Sequence, residues 1–207
     1  MTYEEFKTGV MDVTPVTDGL EFKIAVLWLH PSTLPVGVVA VHSAECAVRI
    51  PQWHKNYADR VVPVIAVGND VLGTNPNMTD LILPPSIDRL TRHTLNSCRN
   101  LKRMTFPKKI TRIPEGAFKD CAALEDIYYE GSKDDWEKIN VVWKKDEYTV
   151  DNSKLGLYCP VTATRYPVPG NEAVFRARIH FDCDLGKDES CFGVFLKGKP
   201  LPLKRTV

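Results

Sequence analysis

No Cys-x-x-Cys pair and no His-Glu-x-x-His run occurs in the 207 residues, so neither common zinc-ligand spacing is present. Five histidines are scattered, at positions 30, 42, 54, 93 and 180. His180 and Cys183 stand close together, but no second ligand pair accompanies them, so no metal and no other cofactor is expected. A Gly-x-Ser-x-Gly elbow, a Walker loop and a Gly-x-Gly-x-x-Gly turn are missing as well, which leaves catalysis without a local motif. Charge of one sign is lacking too: 27 basic and 26 acidic residues give a net charge of +1. That balance argues against nucleic acid or an anionic membrane as the main partner. No apolar run is clean enough to span a bilayer, since the stretch from Ile24 to Val41 is broken by His30, Pro31 and Pro35. The opening Met-Thr-Tyr-Glu-Glu-Phe carries two early acids and no apolar core. It does not read as a secretory signal, and by sequence alone the chain reads as cytoplasmic. Six cysteines are too sparse for a disulfide-stapled miniprotein.

What the sequence does contain is a period. Residues 78–100 align without a gap on residues 101–123, a spacing of 23. Met78 falls on Leu101, Leu81 on Met104, Leu83 on Phe106 and Pro84 on Pro107. Ile87 falls on Ile110, Leu90 on Ile113, Leu95 on Phe118 and Cys98 on Cys121. Leu124, Ile127 and Tyr129 open a further unit, in which Trp136 takes the place of Ile113 and reads as core. Upstream, Val64, Val67 and Leu72 match Ile87, Leu90 and Leu95. Their strand is displaced to Ala47–Pro51, with Gln52 to Arg60 inserted as a loop.

Each unit has a local logic. Met104 and Phe106 alternate with Thr105, which is strand periodicity with one face inward. Pro107 ends that strand because it cannot donate to a ladder. Ile110 and Ile113 form a second inward edge, and Gly116 permits a tight bend before Ala117 and Phe118 fill the interior. His93-Thr94-Leu95 replaces Gly-Ala-Phe in the preceding unit, where a less tight bend is expected. A unit with one apolar side has to stack on its neighbours.

These residues resemble the BspA-like bacterial leucine-rich repeat, whose unit reads roughly L-x-x-I-x-[LI]-P-x-x-[VI]-x-x-I-x-x-x-A-F-x-x-C. Residues 101–123 follow that pattern almost throughout. The stretch Tyr128-Tyr129-Glu-Gly131 through Trp136 and Ile139 resembles the family's terminal coil. Asn171-Glu172-Ala173 through Ile179-His180-Phe181 resembles its closing strand. The resemblance runs from about residue 47 to 182, with residues 142–169 inserted before the closing strand. It implies a short leucine-rich repeat solenoid with a parallel β-sheet on one side, irregular or short helical segments on the other, and β-rich caps at both ends. The expected division is an N-terminal cap or small β-rich region over 1–45, about four coils over 46–141, and a C-terminal cap over 142–207. Strands are expected over Glu21–Leu29 and Val36–Val41, and Ala173–Phe181 should pair as the last strand.

Membership would imply a non-enzymatic interaction or adhesion module, its partner another protein or a surface macromolecule, in a secreted or cell-surface setting. The alternatives are an enzyme or small-ligand protein with its site outside the repeats, and a self-assembly role. Outward strand positions form two rows: Ala47, Asp80, Arg103, Asp126 and then Arg49, Ile82, Thr105, Tyr128. The candidate contact residues are Arg49, Asp80, Arg103, Thr105, Asp126 and Tyr128, with Trp53 and Tyr57 on the inserted loop. Asp80 and Asp126 flanking Arg103 make either a cross-strand charge ladder or a solvated network that contributes little. Tyr128 either meets a partner or packs beneath residues 142–169. Cys98 and Cys121 should stack as thiols inside the coils, and Cys183 with Cys191 could close a hairpin by a disulfide in an oxidising compartment.

Overall fold

The computed structural model describes residues 1–24, 35–56, 59–143, 148–150 and 171–186. The chain begins with α1 (Tyr3–Phe6), widens into a π-helical turn over Lys7–Met11, and continues through β1 (Leu20–Ile24), β2 (Val36–Val41), β3 (Ala47–Arg49) and β4 (Trp53–Lys55). There follow β5 (Val61–Val67), β6 (Asp80–Ile82), β7 (Arg89–Leu90), β8 (Arg103–Phe106), β9 (Arg112–Ile113) and β10 (Asp126–Tyr129). Then come α2 (Lys133–Glu137), β11 (Asn140–Trp143), β12 (Tyr148–Val150), α3 (Glu172–Arg176) and β13 (Arg178–His180).

The 23-residue spacing becomes a register. Asp80 pairs with Arg103 and Arg103 with Asp126, while Leu81 pairs with Met104 and Met104 with Ile127, all in parallel. The resulting sheet runs β13-β10-β8-β6-β3. Its entry points repeat: the Lys102 amide donates to the Thr79 carbonyl at 2.8 Å, Glu125 to Lys102 at 2.8 Å and Arg178 to Glu125 at 2.7 Å. Side chains alternate across such strands, so Val48, Leu81, Met104 and Ile127 point inward together, each with no exposed surface. Each burial contributes about 1.5–3 kcal/mol.

The opposite wall is assembled from two further sheets. A second sheet runs β1-β2-β5-β4 with β7 beside β5, and a third runs β12-β11-β9. Val64, Ile87, Leu90, Ile110 and Ile113 line the interior from this side and meet the inward strand residues in one core. Phe106 sits at its centre, edge-on to Trp136 at 5.3 Å and stacked on Phe118 at 6.5 Å. Thr105, also fully buried, bridges β6 and β8: its hydroxyl donates to the Leu83 carbonyl at 2.8 Å and accepts from the Leu83 amide at 2.7 Å. The regular pairing ends at Leu81 and Met104, and this side-chain contact ties Leu83, just after β6, to β8.

The bends obey the same period. Asp70, His93 and Gly116, spaced by 23, all hold φ between 56° and 72°. His93 therefore makes the same left-handed turn as Gly116, not the looser one expected of a residue with a Cβ. Asp and His are among the side chains that tolerate this region. At Gly73 the neighbouring unit comes so close that a Cβ would lie 2.2 Å from the Asn96 carbonyl oxygen. Cys98 and Cys121 are buried free thiols, and the Cys121 Sγ donates to the Leu95 carbonyl at 3.0 Å.

Several expectations are corrected. Gln52–Arg60 is not a simple loop, because β4 pairs antiparallel with β5. The closing segment is strand only over Arg178–His180; Ala173, Val174 and Ala177 are buried at helical spacing, and α3 forms there. Residues 1–45 begin with a helical segment that the sequence reading did not include. The first strand spans Leu20–Ile24, and residues 25–29 of the expected strand lie outside the described residues. Asn171 satisfies the 101–123 unit's backbone: its fully buried amide accepts from the Phe118 amide at 3.1 Å and donates to the Pro114 carbonyl at 2.9 Å.

Tight stacking at Gly73 is testable. Gly73→Ala should lower unfolding free energy by about 1–3 kcal/mol, read as a shifted urea midpoint, because the Cβ forces adjacent units apart. Gly9→Ala, where a Cβ meets nothing within 4 Å, should leave the midpoint unchanged or raise it.

Candidate functional site

The strands bring the two outward rows together and extend both by one residue. Arg178 pairs beside Asp126 and His180 beside Tyr128, so the rows end Asp80-Arg103-Asp126-Arg178 and Thr105-Tyr128-His180. Neither Arg178 nor His180 was among the candidate contact residues, although both lie in the recognised closing motif.

The first row is a charge ladder. Arg103 grips Asp80 in a two-pronged contact, Nε to Oδ1 at 2.5 Å and Nη2 to Oδ2 at 3.0 Å. Asp126 Oδ1 lies 3.0 Å from Arg178 Nε and 2.8 Å from His180 Nε2. The Thr79 hydroxyl donates to Asp80 Oδ2 at 2.7 Å. The carboxylates are 6% and 2% exposed, so this is not a solvated surface network. Its hydrogen bond to Asp80 raises the Arg103 pKa further above the usual guanidinium value. Planar pairing of this kind holds register as well as charge.

The second row does not face open solvent. Residues 1–17 lie across it. The Phe6 ring stacks on Tyr128 at 4.4 Å and 17°, Tyr3 leans on the same ring at 5.5 Å, and His180 stacks on Tyr128 at 4.7 Å. Phe6, Met11, Ile82, Tyr128, Cys183 and Leu185 form a small core of their own, separate from the main one. Tyr128 donates its hydroxyl to the Met1 carbonyl at 3.1 Å, and Tyr3 donates to the carbonyl of Asp184.

The candidate contact residues therefore divide. Asp80, Thr105, Asp126 and Tyr128 are buried, which corrects the expectation of an uncovered face. Tyr128 packs under the N-terminal segment. The physical reason is that Ile82, Tyr128 and Leu185 make an apolar patch that the chain covers itself. Arg103 is half-buried. Arg49 is also half-buried, and its Nη1 donates to the Met11 and Thr14 carbonyls at 2.5 and 2.9 Å. Trp53 is half-buried in β4, and Tyr57 lies outside the described residues. Cys183 carries a free thiol, and Cys191 lies outside the described residues. The cover does have a signal in sequence: Thr2 and Glu5 form a capping box, and Tyr3, Phe6 and Val10 fall on one helical face.

Elsewhere, an open cleft of about 520 Å³ is lined by Val13–Gly19 and His42–Glu45, where His42 contacts Glu21 at 2.8 Å. Among the described residues no group of three or more His, Cys, Asp or Glu could hold a metal ion, and no helix is long and apolar enough to cross a membrane.

Residues 63–139 match the family described as "BspA type Leucine rich repeat region (6 copies)". No curated protein matches the chain. Solved structures that resemble it include a leucine-rich repeat protein of T. pallidum, at 18% identity and a TM-score of 0.46, covering 56% of this chain and 53% of that one. Another is a leucine-rich repeat protein from Bacteroides capillosus ATCC 29799, at 20% identity and a TM-score of 0.45, covering 53% of this chain and 76% of that one. A third is a leucine-rich cell surface protein from Faecalibacterium prausnitzii A2-165, at 22% identity and a TM-score of 0.45, covering 57% of this chain and 34% of that one. The match thus spans about half the length of the T. pallidum protein.

Burial of phenols and a thiol sets a pH dependence. Burial, with Asp126 nearby, raises the Tyr128 pKa; burial, then Asp135 and Glu130, pushes Tyr129 from 10.0 up to about 12. Burial, then Asp182 and Glu4, pushes the Cys183 thiol from 9.0 up to about 12. The folded chain keeps protons that the unfolded chain gives up, so this stability is complete below the unfolded values and fades through the folded ones. From neutral pH the urea midpoint should hold steady up to about pH 9 and fall between about pH 9 and 12. Tyr129→Phe should make that fall shallower, and an unchanged slope would refute the assignment.

Proposed function

We propose, taking residues 63–139 as BspA-type leucine-rich repeats, that the chain is a non-enzymatic interaction module whose contact surface is the parallel sheet β3-β6-β8-β10-β13. The repeats form a short solenoid over 46–141, with an N-terminal cap over 1–45 and a C-terminal cap over 142–207. The partner is another protein or a surface macromolecule, in the secreted or cell-surface setting that the repeat type implies. Fold alone does not give function, so the reading leans on one observation of the surface itself.

That observation is the ladder Asp80-Arg103-Asp126-Arg178. Parallel strands stand about 4.8 Å apart, so one side chain from each unit enters a straight row of alternating charge. A row of that kind presents planar donors at fixed intervals and suits an extended partner better than a small molecule. Arg178, 66% exposed at the end of the row, is the part most open to a partner. Arg49, Thr105 and Tyr128 flank the row; Trp53 stands in β4, and Tyr57, outside the described residues, is kept as a candidate contact from sequence alone.

Affinity capture with the purified chain tests this reading. The double variant Arg103→Ala/Arg178→Ala should lose at least about tenfold of the binding shown by a partner that the unaltered chain captures saturably. Both chains should first show the same cooperative thermal transition. A partner held equally by both would move the contact surface off the sheet.

A further inference from the structure

Residues 2–11 sit on the sheet as a peptide ligand would. The segment has one turn of α-helix and one of π-helix, closed at its start by the Thr2–Glu5 capping box. A helix this short is not stable alone in water, so its shape depends on the surface beneath it. Its inner face carries Tyr3, Phe6, Val10 and Met11, and its outer face carries the exposed Glu4, Glu5 and Thr8. Phe6 is the anchor, with no exposed surface, seated among Ile82, Tyr128, Cys183 and Leu185. The ring contacts of Tyr3 and Phe6 are made by side chains, which a segment arriving from elsewhere could supply; the Met1 α-ammonium, 3.5 Å from Asp126 Oδ2, adds a contact that belongs to the resident segment alone.

We propose that the groove formed by Ile82, Tyr128, Cys183 and Leu185 is a recognition site for short amphipathic helical segments with aromatic residues three positions apart, and that residues 2–11 are its resident occupant. The inference rests on the sheet being the contact surface and specifies the partner that fits it. The occupant would be a peptide segment of another protein whose spacing copies Tyr3, Phe6 and Val10. Helix-in-groove recognition uses anchors at this spacing. Residues 12–19 serve as the tether. They contain no regular element, and they are fastened through the Arg49 contacts with Met11 and Thr14 and through the Thr17 hydroxyl, which accepts from the Arg49 amide at 2.8 Å. Because the resident segment and a partner segment cover the same rings, one excludes the other. A resident ligand of this kind weakens the apparent affinity of any competitor by the fraction of time the groove stands empty.

The test uses the full chain with Phe6→Asp and Val10→Asp, which expel the segment by placing charges in the apolar groove. The probe is a fluorescein-labelled peptide of residues 1–14 of this chain, followed by fluorescence anisotropy. The opened chain should bind it saturably, with Kd in the range of about 10–100 μM, and the unaltered chain at least about tenfold more weakly. A peptide carrying Phe6→Ala, or an opened chain carrying Tyr128→Ala, should lose at least about tenfold. An opened chain that melts cooperatively but binds no peptide, or binds a scrambled peptide equally, overturns the proposal. If the opened chain fails to fold, amide hydrogen exchange on the unaltered chain decides. The Phe6 and Asp12 amides should exchange at least about tenfold faster than those of Lys102 and Glu125, marking a segment that leaves by itself. Equal rates would mean that it leaves only when the whole chain unfolds, and the proposal falls. A partner captured through Arg103 and Arg178 with no peptide binding removes this inference alone and leaves the interaction role in place.

Discussion

The whole structure depends on parallel pairing at one fixed interval. Once Leu81, Met104 and Ile127 stand on adjacent strands in matching register, each unit places one side chain in the interior and its neighbours outside. A slip of one residue would turn the apolar row out and the charge row in. Asp80-Arg103-Asp126 and the Thr105 bridge to Leu83 oppose that slip, because both are satisfied in a single register only. Apolar burial supplies the stability, and the polar contacts select the alignment.

That alignment has a cost at the surface. An ordered outward row that includes Ile82 and Tyr128 is a sticky face, and in this chain the first helical segment covers it. The apolar part of the outward row is thus packed against the chain's own first residues. On the other side of the core, the buried Asn171 amide takes up the Phe118 amide and the Pro114 carbonyl. The two faces of the sheet are handled differently: the inward row is buried in the main core, whereas the outward row is covered by a segment whose following residues are held by Arg49.

Legibility followed the period. Between residues 78 and 139 the inward positions and strand registers could be read directly, since an apolar residue recurs at the same place in each unit, and Gly116 marked its own bend. His93 misled because its side chain argues against a tight bend, yet the stacking geometry imposes the same φ there as at Gly116. Features used once were harder to see. The α3 turn was hidden by a motif that reads as strand, and β4 by an insertion that lacks the repeat pattern. The outward row was placed in the right order, and packing of Tyr128 was one of its two readings, but the N-terminal segment as its cover was not foreseen. Nothing in Thr105 or Tyr128 reveals that a segment more than 90 residues earlier will lie on top of them. Capping box and aromatic spacing mark residues 2–11 as an amphipathic helix, but not where it docks.

Backbone and methyl nuclear Overhauser contacts test the register most directly. The account predicts contacts between Leu81 and Met104 and between Met104 and Ile127, with none passing directly from Leu81 to Ile127. Contacts that pair these residues antiparallel, or that shift any strand by one position, would contradict it.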